Sequence, residues 1–345
     1  MKVWYSRGVA LLVIGYLVAM SASAVVVHFF GDRSALGTLA LFAPRHLTPW
    51  PWALLVPLSL TVSRRLLAAA LLGLGITLFA VSGFQLPSAA AVAARFSNNA
   101  PINAPNNAPN SAHLRVVFYN TDASRTLGPR VRTDIDAWDA DVAALVDCRP
   151  DVQAALRNVP NTTLVVTPFL CLLTRHTVVS HEPLPNARLS PERVLSPSRS
   201  LRAHRFTLDV RGEPVTLYVL HLTTPRDALW AARNFDLSKL DANTQLRALD
   251  SNISSRWVDH SAPGLLVMGD FNLTVESAIY RRDWGDLTNA FSDAGFGFGR
   301  TMFAGWHRVR IDHVLTGPAL RAERVRVLRG YPSEHQPVMA DLVWR

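Results

Sequence analysis

The stretch GLLVMGDFNLTVES (264–277) ends an apolar run with Asp270 and Asn272, a carboxylate and a carboxamide two residues apart. On extended chain such a pair projects to one side, at the strand's C-terminal end. Asp and Asn are also ordinary turn formers, so the pair alone has two readings. The pattern recurs, however. Asn120 and Asp122 follow RVVFY, Asp147 follows VAALV, and His221 follows LYVL. Asp312 and His313 interrupt RVRIDHVL, and Glu334 with His335 precedes PVMADL. Six polar strand ends of this kind point to one rim where strand ends converge, the usual place for binding residues on a rigid scaffold.

These side chains are rich in oxygen donors and include no thiolate cluster, so the ion they suit is hard, Mg²⁺ or Mn²⁺ ahead of Zn²⁺. Magnesium takes one or two protein carboxylates, keeps several waters and uses phosphate oxygens as further ligands. Two histidines beside such an ion suit hydrolysis of a phosphate ester. The ion offsets charge on the phosphoryl oxygens, and an Asp-oriented His handles a proton.

The elements that must position these residues are short apolar strands. LRVVFYN (114–120), DVAALVD (141–147), TLVVTPFLCLLTR (163–175), HTVVS (176–180), HRFTLDV (204–210) and PVTLYVLHL (214–222) read as strands. GLLVMGDFN (264–272), RIDHVLTG (310–317), ERVRVLRG (323–330) and PVMADLVW (337–344) complete the set. One helical spacing runs through 229–257, with Leu229, Ala232, Phe235, Leu240, Leu246 and Leu249 at its apolar positions. Strands outnumber helices and many are adjacent, which favours an α+β or layered sandwich over a doubly wound parallel sheet.

Ahead of this region the chain is hydrophobic. The 345 residues are 49% hydrophobic, and the excess is concentrated in three runs. Residues 8–30 and 66–86 are uncharged and long enough to span a bilayer; 47–63 is shorter, contains Pro, and carries Trp50 and Trp52 where an interfacial belt would lie. A bundle of about three transmembrane helices is expected over 1–92, with a signal sequence cleaved after SASA (21–24) as the competing reading of the first run. Lys2 and Arg7 precede the first run, and Arg64 and Arg65 lie between the second and third. That bias favours a cytoplasmic N-terminus in a multi-pass cell-membrane protein whose C-terminal domain is extracytoplasmic. Residues 93–113, rich in Asn, Pro and Ala, read as a linker holding the domain of 114–345 off the membrane.

The formal net charge is +9, but residues 1–110 carry +6 of it and the remainder only +3. The soluble part therefore makes no strong electrostatic case for a polyanion. Only two cysteines occur, Cys148 and Cys171. Outside the cytosol they form a candidate disulfide, provided their strands are neighbours.

The motif order resembles the endonuclease/exonuclease/phosphatase superfamily: YN, an acidic residue after VAALV, LLTR, a strand ending in HL, GDFN, RIDHVL and SEHQPV. It covers essentially all of 114–345, and the membrane runs resemble a bacterial membrane-anchored branch. The resemblance implies a four-layer α/β/β/α sandwich with one active site at an edge of the paired sheets. It implies Asn120, Asp147 and Glu334 at the metal, with Asp147 the direct ligand. Asp270 and Asn272 would position the attacking water and contact the scissile phosphate. His335 would be the catalytic histidine, oriented by Asp312, and His221 would hydrogen-bond a phosphoryl oxygen or protonate the leaving group. Two positions depart from the family, which usually has Glu at 147 and Asp at 334. A reciprocal exchange would keep one carboxylate near the ion.

Of the remaining polar residues, Arg175 is either a structural arginine beneath the site or a solvated strand end. His313 should point away from the rim if Asp312 points toward it. His176, His181 and His307 read as surface or loop residues, and Trp284 and Trp306 as groove or local packing. The expected activity is hydrolysis of a phosphate ester: nucleic acid, a lipid headgroup or a small molecule. The competing class is a binding module with weakened catalysis.

Overall fold

The computed structural model describes residues 2–97, 113–122, 127–185, 201–262 and 264–345. Among them two six-stranded sheets carry the C-terminal region. The first has the order β13 (Leu320–Val327), β14 (Val338–Trp344), β1 (His113–Asn120), β2 (Val142–Val146), β4 (Leu170–Thr174), β3 (Thr163–Val166). The second has the order β5 (Thr177–Pro183), β6 (Arg202–Val210), β7 (Glu213–His221), β8 (Leu265–Asp270), β12 (Asp312–Thr316), β9 (Thr288–Asn289). A small hairpin, β10 (Met302–Ala304) and β11 (His307–Val309), stands beside them.

The alternation of side chains along the strands builds three packed interfaces. Phe118, Leu172, Leu217, Met268, Val314 and Ala340 meet between the sheets. On the outer face of the first sheet, Val117, Leu145 and Leu173 pack against Val131, Trp138 and Val152. The latter three belong to the helices Gly128–Trp138 and Pro150–Leu156. On the outer face of the second sheet, Val267, Leu220 and Leu315 pack against Trp257 and Trp284. This is the expected helix–sheet–sheet–helix layering, with helices on the outer face of each sheet.

Two expected elements divide. The run 163–175 is two antiparallel strands, β3 and β4, joined at Thr167–Phe169. The helical pattern over 229–257 is two helices, Arg226–Ala232 and Ser238–Trp257. Phe235, at φ 61°, breaks them apart.

The N-terminal region holds two helices long and apolar enough to cross a membrane, Lys2–Phe30 and Arg64–Val81. The expectation of three is corrected at 47–63. That run forms a nine-residue helix, Trp52–Leu60, only ~14 Å long against the ~30 Å of a hydrocarbon core. A further short helix, Ala35–Phe42, starts at Ser34, whose Oγ accepts a hydrogen bond from the Gly37 N–H. A Cβ at Gly37 would lie 1.8 Å from the Phe30 carbonyl oxygen, so only glycine lets this helix fold back against the first.

The sandwich is not held off these helices. Asp32 forms an ion pair with Arg247 at 2.6 Å and accepts a hydrogen bond from Ser277 Oγ, all three buried. Val27, Leu41 and Phe42 pack with Val309 and Ile311. Gln85 bridges to Gly297, and the stretch expected to be a linker opens inside the helix Ala89–Ser97, whose Ala91 joins the inter-sheet core. Residues 98–112 of that stretch lie outside the described residues.

Candidate active site

Strand register brings the chemistry together. In the second sheet Arg202 pairs with His221, His221 with Asp270, and Asp270 with Asp312. Four side chains from β6, β7, β8 and the start of β12 thus lie in one row at the sheet's end. The first sheet contributes Asn120, the last residue of β1, and Asp147, directly after β2.

His335 arrives from a loop, and its position is held from both sides. It bridges to Met302 of the hairpin, while Phe303 N–H donates to Glu334 O (2.8 Å) and Gln336 N–H to Thr301 O (2.7 Å). Ser333 Oγ accepts the His335 N–H (3.0 Å) and donates to Asn120 O (2.9 Å). Thr301 Oγ1 in turn accepts the N–H groups of Ile311 and Asp312 at 3.2 and 3.1 Å. These contacts tie the His335 loop to the strand that carries Asp312.

His335 Nδ1 lies 2.9 Å from Asp312 Oδ2, and its Nε2 lies 3.8 Å from Asp270 Oδ2. Asp270 Oδ2 accepts a hydrogen bond from Asn120 Nδ2 at 2.9 Å, and its Oδ1 accepts the Asn272 N–H at 2.9 Å. Asn272 Nδ2 donates to Leu222 O at 2.9 Å, which fixes the turn after β8. His221 Nε2 stands 3.7 Å from Asp270 Oδ2, and its Nδ1 stands 3.6 Å from Asp147 Oδ2.

Asp122, Asp147 and Asn272 all have left-handed backbone, with φ of 49°, 53° and 49°. Short Asx side chains tolerate that conformation better than longer ones. This accounts locally for Asp rather than Glu at position 147.

Burial and charge set the protonation states. Burial alone would lower the His335 pKa, but the carboxylates of Asp312 and Asp270 outweigh it and raise it to about 9. Burial, reinforced by Asp312, raises Asp270 to about 6, against the opposing charges of His335 and His221. At neutral pH the cluster therefore holds an imidazolium beside an ionised Asp270.

The cluster tests whether a metal fits. Asp270, Asp312 and His335 each offer a ligand atom, and these atoms lie within 4.8 Å of one another. Burial and the neighbouring Asp312 raise the Asp270 carboxyl, and a cation would relieve that penalty. His221 Nδ1, buried and without a hydrogen-bond partner among the described residues, lies 3.6 Å from Asp147 Oδ2 at the edge of this group. The donor set fits a divalent ion.

Not every expected residue joins the cluster. Glu334 faces outward, where its Oε2 accepts a hydrogen bond from Arg226 Nη2 at 2.7 Å in a half-exposed pair. The reciprocal exchange with Asp147 is thereby corrected. In an extended segment neighbours alternate, and His335 takes the inward side. Asp147 lies at the rim, its Oδ1 paired with Arg202 Nη1. Arg175 pairs with Asp139 at 2.6 Å, away from the cluster. His313 turns outward as expected; its Nε2 lies 2.8 Å from Leu273 O, and burial, aided by Arg310, lowers its pKa to about 4. Trp284 is core, while Trp306 is exposed.

Arg202, Ser333 and Thr301 were missed. Ser333 carried a signal, since a hydroxyl two residues before His335 can cap the His335 N–H. Arg202 carried none, because only pairing across β6 and β7 reveals it.

The sequence profile of the Endonuclease/Exonuclease/phosphatase family matches residues 117–335. No curated protein matches the chain. Among solved structures, the fold is similar to D. rerio TDP2 humanized by 14 mutations, with a TM-score of 0.51 at 12% identity over 67% of this chain and 99% of that one. It is similar to an endonuclease/exonuclease/phosphatase family protein of Bacteroides thetaiotaomicron, with a TM-score of 0.51 at 16% identity over 68% and 98% of the two chains. The mannosyl-6-phosphatase of B. thetaiotaomicron VPI-5482 gives a TM-score of 0.50 at 16% identity over 67% and 100%. At these identities the likeness is one of fold.

Proposed function

The chain belongs to the endonuclease/exonuclease/phosphatase family, and on that basis we propose that it is a membrane-anchored, Mg²⁺-dependent phosphoesterase. The observation that carries the reading is the buried run Asp312–His335–Asp270, at 2.9 and 3.8 Å. Asp312 accepts the Nδ1 proton of His335 and so directs Nε2 into the cluster. His335, protonated at neutral pH, presents Nε2–H to an anionic phosphoryl oxygen and stabilises the charge that builds there. Asp270, held by Asn120 and the Asn272 N–H, takes a proton from the attacking water. His221 stands on the other side of Asp270, placed to donate to the leaving group.

Asp270 and Asp312 would hold the metal, with His335 remaining the proton donor beside it, and Asp147 could join them only in competition with its Arg202 ion pair. A bound Mg²⁺ supplies a positive charge that offsets the phosphoryl oxygens. Manganese would serve the same donors.

Two helices, Lys2–Phe30 and Arg64–Val81, support the membrane reading. Two crossings from a cytoplasmic N-terminus return the chain to the cytoplasm, so an extracytoplasmic sandwich would require the segment 47–63 to traverse as well. The Cys148–Cys171 disulfide, with Cα atoms 5.8 Å apart, accords with an oxidising compartment. The substrate class is a phosphate ester of nucleic acid, a lipid headgroup or a small molecule. D. rerio TDP2 has been solved with a single-strand DNA product, and a phosphatase shares the fold. A binding module with weakened catalysis has one observation in its favour: Asp147 and Glu334 are both engaged by arginines.

Hydrolysis of bis-p-nitrophenyl phosphate by the full chain in Mg²⁺ tests the reading. EDTA and His335→Ala should each abolish it. Inactivity across DNA, lipid and phosphomonoester substrates would sink the enzyme and favour the module.

A further inference from the structure

The N-terminal segment closes a cleft that the catalytic cluster does not use. Arg45 and His46, in the 3₁₀ turn Arg45–Leu47, line it with Arg300, Arg308, Arg310 and Glu276, around a small space of about 20 Å³ that opens to solvent. Four guanidinium groups against one carboxylate leave three positive charges in excess.

The one acid is already committed. Arg45 Nη2 lies 3.4 Å from Glu276 Oε2. Burial alone would raise the Glu276 pKa, but Arg45 and Arg310 overcome it and hold it at about 2. Neither Arg300 nor Arg308 has an ion pair among the described residues; they lie over the rings of Phe298 and Phe303, at 4.1 and 5.9 Å. Burial and then the charges of Arg308, Arg329 and Arg45 press the Arg300 pKa down to about 10. Two buried nitrogens, Arg310 Nη1 and His46 Nδ1, have no hydrogen-bond partner among the described residues, and Arg310 as a whole is only 7% exposed. A buried guanidinium donor left unpaired is costly, and an oxyanion is the group that would satisfy it.

An aromatic ladder leads to the cleft. Phe79, on the second long apolar helix, meets Phe84 edge-on at 5.8 Å. Phe84 meets Phe298, in the cleft wall, at 5.1 Å, and Phe296 at 5.4 Å. Phe79 and Phe296 are exposed. An apolar path thus runs from the helix surface to a concave cationic site.

We propose that this cleft binds a phosphate oxyanion, and that its source is the headgroup of an anionic lipid whose chains follow the ladder along the helix Arg64–Val81. The guanidinium forks match phosphate oxygens in pairs. The lipid source rests on the membrane reading above, whereas the oxyanion chemistry does not.

Calorimetric titration of the full chain in a non-ionic detergent with EDTA tests both. The ligands are dihexanoyl phosphatidic acid and inorganic phosphate, and the variants are Arg300→Gln/Arg308→Gln and Arg308→Glu. Phosphatidic acid should bind at least tenfold tighter than inorganic phosphate, and both variants should lose at least tenfold while keeping the wild-type circular dichroism. His335→Ala should leave the affinity unchanged. Equal affinity for the two ligands, both lost in the variants, overturns the lipid source. Affinity unchanged in both arginine variants, or lost in His335→Ala, overturns the cleft.

Discussion

Asp312 holds His335 through Nδ1 at 2.9 Å, with their side chains only 1% and 5% exposed. Such a buried pair fixes the imidazole's tautomer and keeps its proton at neutral pH. Asp312→Asn replaces an ionised acceptor with a neutral amide. We expect kcat on a phosphodiester to fall about 10²–10⁴-fold with little change in KM. Steady-state kinetics on the Mg²⁺-loaded protein checks this.

The same groups predict a pH response of the metal-free protein. His335 is raised from 6.5 to about 9, so its contribution to stability is complete below about 6.5 and is lost as pH rises through about 9. Asp270 is raised from 3.8 to about 6, so its contribution is complete below about 3.8 and is lost through about 6. The unfolding temperature in EDTA should therefore fall across both windows. Adding Mg²⁺ should oppose the lower fall, because a cation favours the ionised Asp270. A melting profile independent of pH from 4 to 9 would contradict this assignment.

Asp32 and Arg247 join the N-terminal segment to the sandwich in a fully buried ion pair at 2.6 Å. Asp32→Ala strands the guanidinium and should cost about 3–5 kcal/mol. Denaturant unfolding in detergent measures it. Protease should also cut the Ala35–Phe42 region faster in the variant.

Glu334→Ala should leave Mg²⁺ affinity and kcat unchanged and shift stability by no more than about 0.5 kcal/mol, because its half-exposed partner is Arg226. Asp147→Ala should alter both affinity and rate, since it removes the partner of Arg202 and the neighbour of His221. Parallel metal titrations of the two variants distinguish the sites.

Cys148 and Cys171 close a loop across a sequence separation of 23. Their replacement by Ser should destabilise the chain by about 2–4 kcal/mol. The denaturant midpoint of wild type under reducing agent should move toward that of the double variant.

The strand ends and the GDFN turn were legible in the sequence, and the pairing of Asp312 with His335 was what the family resemblance implied. Alternating apolar residues mark strands, and polar residues at their ends mark a rim, because both follow from a local period of two. The long uncharged runs were legible for the same reason, since spanning length is a property of consecutive residues. What the sequence could not supply was cross-strand register. Only the pairing of β6, β7, β8 and β12 sets Arg202, His221, Asp270 and Asp312 in one row. Only tertiary packing turns Glu334 outward to Arg226 and brings Arg45 and His46 against Arg300 and Arg310. Those contacts join residues far apart in the chain, and their energies depend on burial and on which charges meet, neither of which a local pattern encodes.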